Sequence, residues 1–312
     1  MDKKIYDIIV VGAGPTGLFS TFYASYMKLK CLCVELSNNV GGQLINLYPN
    51  KYIYDFPGHS KIKAIDLVDV LKKQINMHNG EILLNTSIVQ YSYLENEKYF
   101  TLYDQNNNKY YAKNIVITIG IGSFEPNKIE EFPESHNHEK VQYFLNSNCN
   151  YLGKNIIIFG GGNSAADIAH QLKTEHNANV QIIHHRDELR ANSFSIDELQ
   201  LMNINVNLNT KIIDWNPQYC KFINNLNHEF TLFYDYIIVQ YGLKPLFSPI
   251  HNWDNLLVKN KKIVVNHNYE TNIKNIYAAG DCIYSNDRVN SIVSGIAEAT
   301  IIINKIKNNL NN

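Results

Sequence analysis

The stretch Ile8-Ile9-Val10-Val11-Gly12-Ala13-Gly14-Pro15-Thr16-Gly17 decides the fold. Four consecutive β-branched residues read as a strand buried on both faces, the pattern of a parallel sheet covered by helices. Gly12 permits a tight turn, Gly14 lets the backbone approach a pyrophosphate, and Gly17 lets a helix pack close to the strand. The first amides and the dipole of that helix favour an anion at this place. A helix is expected over residues 18–29 and a second strand over 30–36, which Glu35 closes. A carboxylate there accepts both ribose hydroxyls of an unphosphorylated adenosine, as in FAD or NAD. Gly12, Gly14, Thr16, Gly17 and Glu35 are therefore candidate cofactor-binding residues.

The same plan returns later, with a strand at 155–159, a turn at Gly160-Gly161-Gly162, a helix at 164–173 and a strand at 179–184. In Gly160-Gly161-Gly162-Asn163-Ser164-Ala165 an alanine takes the place of the third glycine. The second strand also ends differently: His184-His185-Arg186, with Arg190 one turn on, stands where an acidic residue would be expected. A carboxylate would repel a 2′-phosphate, whereas guanidinium groups bind one through charge-assisted hydrogen bonds of about 1.5–3 kcal/mol each. Gly160, Gly162, Asn163, Ser164, Arg186 and Arg190 are thus candidates for holding NADP.

Two breaks divide the chain. A strand over 115–119 runs into Gly120-Ile121-Gly122 and then Pro126, and a strand over 236–240 runs into Tyr241-Gly242-Leu243-Lys244-Pro245. If both are crossings between domains, residues 1–114 and 242–312 form a discontinuous FAD-binding domain and 115–241 an NADPH-binding domain. The expected class is α/β, with two Rossmann-like dinucleotide-binding domains, the NADPH domain inserted into the FAD domain. Rotation about the two crossings is the expected way to bring nicotinamide to flavin. A third segment supports a flavin: a short strand over 276–279 leads into Gly280-Asp281, and a helix over 292–306 follows. Asp281 is placed to bond a ribityl hydroxyl, and the helix N-terminus to steady negative charge at flavin N1 and O2.

Composition narrows the function further. The chain of 312 residues is 45% hydrophobic, which excludes a disordered protein, and its 28 Lys and Arg against 29 Asp and Glu offer no bulk attraction for nucleic acid or an anionic membrane. No apolar run approaches the roughly 18 residues of a transmembrane helix, and the first apolar segment is too short for a signal sequence, so a cytoplasmic protein is expected. Only 16 residues are glycine, and their clustering at Gly12/Gly14/Gly17, Gly41/Gly42 and Gly160–Gly162 marks local backbone demands. The five cysteines form no C-x-x-C, and Cys31 and Cys33 point to one face of a strand as buried structural thiols. His136 and His138 lack further ligands and read as surface residues, so no metal site is expected, and Glu130 and Glu131 read as solvated charge.

With these segments placed, the whole chain resembles the thioredoxin reductase-like ferredoxin–NADP(+) reductases. The specific matches are Gly41-Gly42-Gln43-Leu44, the run Leu47-Tyr48-Pro49-Asn50-Lys51-Tyr52-Ile53-Tyr54-Asp55, the crossing Gly120-Ile121-Gly122-Ser123-Phe124-Glu125-Pro126, and Val289-Asn290-Ser291-Ile292. The resemblance implies that Gln43 contacts the flavin, Tyr48 stacks on its ring system, Ile88 lies by the adenine, Phe124 lines the flavin pocket, Glu35 holds the adenosine ribose and Asp281 bonds the ribityl chain. It implies hydride transfer between NADPH and flavin N5, one-electron exchange with ferredoxin or flavodoxin, no catalytic acid or base, and a homodimer. Thioredoxin reductase itself carries a redox C-x-x-C before its NADPH-site strand; here that region holds only Cys149, and a single thiol forms no internal disulfide. The family's basic run has two consecutive arginines, and His185 takes the first of those places. The competing readings are an NAD(P)H oxidase or a disulfide reductase on the same scaffold, and a non-catalytic flavin-binding regulator.

Overall fold

The computed structural model describes residues 3–311 except 48, 50, 123, 130–139, 147, 148, 246, 247 and 286. The chain divides into two compact units, one made of Met1–Ser123 with Pro245–Asn312 and the other of Phe124–Lys244. Both are α/β and Rossmann-like, and the second is inserted in the sequence of the first.

The first unit is built on strands β1 (Ile5–Val11), β2 (Cys31–Val34), β3 (Glu81–Leu83), β4 (Ile88–Leu94), β5 (Tyr99–Asp104) and β6 (Lys109–Ile117). They lie in the order β3-β2-β1-β6-β5-β4, and the short strand Ile276–Ala278 also pairs with β6. Strand β1 runs parallel to β2 and to β6, β2 runs parallel to β3, and the strand Ile276–Ala278 runs parallel to β6, whereas β4-β5-β6 is an antiparallel meander. The β-branched run of β1 is buried on both faces, as its composition requires. Ile8 and Val10 join Leu18 of α1 (Pro15–Tyr26), Leu67 of α3 (Ala64–Met77) and Ile302 of α6 (Ile292–Asn311). Ile9 and Val11 face the other way, toward Phe100, Leu102, Trp253 and Ile263.

The helix after the first turn starts at Pro15, earlier than residue 18, because a proline at the first helical position has no amide to leave unpaired. It stops at Tyr26 rather than 29, where Lys28 takes a left-handed φ of 63°. The first crossing also falls later than the apolar pattern suggests. Residues 115–117 do not open the inserted unit; they end β6, whose parallel neighbours β1 and Ile276–Ala278 both belong to the first unit. The half-polar start of β6 hides the first part of this strand, before residue 115, from a search for continuous apolar runs. The structure therefore places the divisions after residue 123 and after residue 244, rather than after 114 and after 241.

The second unit carries a wholly parallel five-stranded sheet of β7 (Val141–Gln142), β8 (Asn155–Phe159), β9 (Asn179–Ile183), β10 (Asn205–Asn207) and β14 (Tyr236–Val239), in the order β7-β14-β8-β9-β10. An antiparallel sheet of β11 (Thr210–Trp215), β12 (Tyr219–Asn224) and β13 (Glu229–Phe233), not foreseen from the sequence, precedes β14. Ile158 and Ile182 pack on Ala165, Ala169 and Leu172 of α4 (Asn163–His176), while Ile157, Phe159 and Ile183 face Cys220 and Phe222 of β12.

Phe222 is fully buried in that second layer. Phe222→Ala is expected to cost the second unit about 3–5 kcal/mol. Trp215 lies beside it in the same core, so urea unfolding followed by tryptophan fluorescence in a Trp253→Phe background measures this loss. A loss below about 1 kcal/mol contradicts the packing described.

Candidate dinucleotide sites

The two glycine turns are held in the same way. The Gly12 amide donates to the carbonyl of Val34, the last residue of β2, at 2.8 Å, and the Gly160 amide to that of Ile183, the last residue of β9, at 3.1 Å. Gly12 and Gly160 have φ of 104° and 142°, and a Cβ on them would come within 2.8 Å of Thr118 O and 2.5 Å of Gln240 O. Thr118 and Gln240 follow the strands beside β1 and β8, namely β6 and β14. Thr118 Oγ1 also donates to Gly12 O at 2.8 Å, a support for the turn that no glycine pattern discloses. A Cβ on Gly17 would collide with the Gly12 carbonyl, so the third glycine allows the close packing of α1 on its turn.

The helices that follow leave their first amides open. α1 and α4 start after Gly14 and Gly162, with no side-chain cap and no acidic residue in the first turn. By contrast α5 (Ser193–Leu201) has its Ser195 amide taken by the Asn192 side chain at 2.8 Å. A Cβ on Gly14 or Gly162 would meet nothing within 4 Å. Uncapped amides beside an open backbone surface fit a pyrophosphate at both turns.

Around the first turn the structure gathers most of the expected residues. Gly41 donates to Ala13 O at 2.8 Å, and a Cβ on Gly42 would lie 3.2 Å from Gly14 Cα, so this second glycine pair rests on the first. It delivers Gln43, first residue of α2 (Gln43–Asn46), whose Nε2 is 3.7 Å from where a Gly120 Cβ would stand. Thr16 packs its side chain against Gly280 and Gly295, leaving its backbone amide as its contribution. The buried Glu35 carboxylate accepts the Ala13 amide at 2.6 Å and the Ser37 amide at 2.9 Å. These bonds fix its orientation and use one lone pair on each oxygen, so both oxygens retain capacity for ribose hydroxyls. The Glu35 carbonyl accepts the Thr86 amide, which brings the start of β4 beside it. There the Ile88 side chain is buried in the core, so only its backbone is open to a neighbour. Asp281 lies in the turn Gly280–Cys282, with its Oδ1 bonded to Arg288 Nη1 at 2.9 Å. The sequence marks Arg288 only as a lone cation seven residues after Asp281. Tyr48 and the side chain of Phe124 lie outside what the structure describes, as do Glu130, Glu131, His136 and His138.

At the second turn the segment after β9 folds back on the glycines. The Arg190 amide donates to Gly161 O at 2.6 Å, and Asn163 Oδ1 accepts from the Asn192 amide at 2.8 Å and its Nδ2 at 3.1 Å. Asn163 thus spends its side-chain oxygen on holding this loop. Ser164, His185, Arg186 and Arg190 are not buried, and Arg186 Nε donates to His185 Nε2 at 3.3 Å. The buried His184 ring lies against Gly161, where a Cβ would come within 2.6 Å of it. Neither of its ring nitrogens has a hydrogen-bond partner among the described residues.

The described thiols are not arranged for disulfide chemistry. Cys31, Cys33, Cys220 and Cys282 are buried, and burial pushes the last three up to about 12. Half-buried Cys149 accepts from Gln142 Nε2 at 3.3 Å. Among the described residues no helix is long and apolar enough to cross a membrane.

Sequence comparison places this geometry. The family described as pyridine nucleotide-disulphide oxidoreductase matches residues 6–299. The chain belongs to that family. It is 38% identical to a ferredoxin–NADP reductase of Halalkalibacterium halodurans over 98% of this chain and 93% of that one. It is 39% identical to one from Malacoplasma penetrans over 96% and 95%. Among solved structures, thioredoxin reductase of T. acidophilum superposes with a TM-score of 0.72 at 21% identity, over 99% of this chain and all of that one. Bacillithiol disulfide reductase of Staphylococcus aureus follows the same fold, with a TM-score of 0.69 at 19% identity over 98% and 99%.

Burial, together with the neighbouring His185 and Arg186, lowers the His184 pKa below its usual 6.5. The unfolded chain therefore binds more protons than the folded one between the two values, and stability present above about pH 6.5 is lost as pH falls through the folded value. His184→Phe is expected to lose less stability than the parent between pH 7 and pH 5, read from urea midpoints by Trp215 fluorescence. Equal losses contradict a buried neutral imidazole.

Proposed function

We propose that the protein is an FAD-dependent oxidoreductase that passes electrons between NADPH and a small carrier, ferredoxin or flavodoxin. The observation that carries this reading is the opposite chemistry at two equivalent positions. After β2 stands the buried carboxylate of Glu35; after β9 stand Arg186 and Arg190 with His185, none of them buried. The first suits the unphosphorylated ribose of FAD and the second the 2′-phosphate of NADPH. FAD, when bound, accepts two electrons as a hydride and releases them singly, which a nicotinamide coupled to a one-electron carrier requires.

The chain's own part is to bind, orient and enclose. The amides of Gly14, Thr16 and Gly17 and those at Gly162–Ser164 take the two pyrophosphates, Gln43 contacts the flavin, Ile88 borders the adenine, and Asp281 holds the ribityl chain. No side chain is assigned as acid or base. The relatives named ferredoxin–NADP reductase support the carrier, and the lack of a described thiol pair speaks against a disulfide substrate. The protein acts as a homodimer in the cytoplasm on this reading.

Anaerobic NADPH is expected to bleach the bound flavin, and ferredoxin or flavodoxin to speed NADPH-dependent cytochrome c reduction beyond the protein's oxygen consumption. No bleaching points to a flavin-binding regulator, and no gain from either carrier to an oxidase.

Coenzyme choice is tested separately. Loss of one charge-assisted bond, about 1.4 kcal/mol, makes Arg190→Ala lower kcat/KM for NADPH about tenfold while leaving NADH within about twofold. Equal kcat/KM for the two coenzymes in the parent protein overturns the 2′-phosphate assignment.

A further inference from the structure

Arg288 is an enclosed cation of the first unit. Its side chain is 6% exposed and that of its partner Glu298 5%. Nε donates to Glu298 Oε1 at 2.6 Å, and Nη1 donates to Asp281 Oδ1 at 2.9 Å and to Asn290 Oδ1 at 2.8 Å. The other Glu298 oxygen accepts the Gly280 amide at 2.7 Å. One guanidinium therefore joins the turn Gly280–Cys282, the loop before α6 and the second turn of α6. That part of the fold is pressed on the start of α1, because a Cβ on Gly280 would meet Thr16 Oγ1 at 3.0 Å and one on Gly295 would collide with the same atom.

The cluster holds two carboxylates and one cation. Without the cation, Glu298 would be buried ionised beside a second acid, and Asp281, whose side chain is 34% exposed, would turn toward water. With Arg288 in place, Asp281 Oδ1 is held from inside, and Oδ2 has no partner among the described residues. We propose that Arg288 is a positioning residue for FAD: it fixes the Asp281 carboxylate so that its second oxygen meets a ribityl hydroxyl. Preorganisation of this kind lowers the cost of binding without a contact of its own. The inference rests on reading the first unit as the FAD site.

The test uses the full chain stripped of flavin, with FAD affinity read by flavin fluorescence and folding by the thermal midpoint of the apoprotein. Arg288→Met is expected to weaken FAD about tenfold or more, and Arg288→Lys, which keeps the charge but lacks the fork, by an intermediate amount. Arg288→Met combined with Asp281→Asn is expected to bind FAD within about twofold of Asp281→Asn alone, because the arginine acts through that carboxylate. An Arg288→Met protein that binds FAD like the parent overturns the proposal, as do losses that simply multiply in the double variant. If Arg288→Met does not fold, Arg288→Lys decides: weaker FAD at an unchanged thermal midpoint supports the proposal, and unchanged affinity overturns it. Parent apoprotein that binds no FAD overturns the site reading and this inference together, whereas parent that binds beside an indifferent Arg288→Met overturns the inference alone.

Discussion

The structure depends on one steric constraint used twice: a residue without a side chain, squeezed between the ends of two strands. Gly12 gives its amide to the last residue of β2 and lies against Thr118, just past β6; Gly160 gives its amide to the last residue of β9 and lies against Gln240, just past β14. A methyl group at either place would enter a backbone carbonyl. Because the chain turns in so little space, the helix that follows starts at the carboxyl ends of the strands with its first amides open. Both sites therefore face the end of the sheet at which α/β folds bind their ligands.

Two turns held in the same way do not tell the sites apart, and the difference in charge lies one strand further on. Glu35 is oriented by the Ala13 and Ser37 amides, so the first turn itself helps to aim this carboxylate. In the second unit the Arg190 amide binds Gly161 O, and Asn163 holds the Asn192 amide, so the cationic segment is likewise fastened to its turn. In both units the glycine turn and the segment after the second strand are mechanically joined, although the charged residues there are of opposite sign.

Much of this was legible in the sequence because it rests on local rules. Four β-branched residues before Gly12 announce a strand buried on both faces, and the spacing of Gly12, Gly14 and Gly17 places the turn. What escaped depends on partners distant in the chain. The half-polar start of β6 becomes strand only because β1 and β5 flank it, and so the inserted unit begins later than its apolar residues suggest. The sheet β11-β12-β13 was hidden because its outer strand alternates exposed and half-buried residues, which look like loop until the other face covers Phe222. The Arg288 cluster was hidden for a further reason, since charges ten residues apart show no pattern until a helix and a turn bring them together.

The thiols bear on which chemistry of this fold the chain shares. Proteins of the same fold include thioredoxin reductase and bacillithiol disulfide reductase, so the architecture alone does not choose between disulfide and carrier reduction. A dithiol must offer a thiolate near neutral pH and a second sulfur within reach. Cys282 follows Asp281 and is the described thiol nearest in sequence to the flavin-side turn, but it is buried, its Sγ bonds the Ala279 carbonyl at 3.1 Å, and burial pushes it to about 12. It therefore serves as packing. No described thiol at this turn is therefore poised as a nucleophile, which fits the proposed transfer to an external carrier rather than to a disulfide.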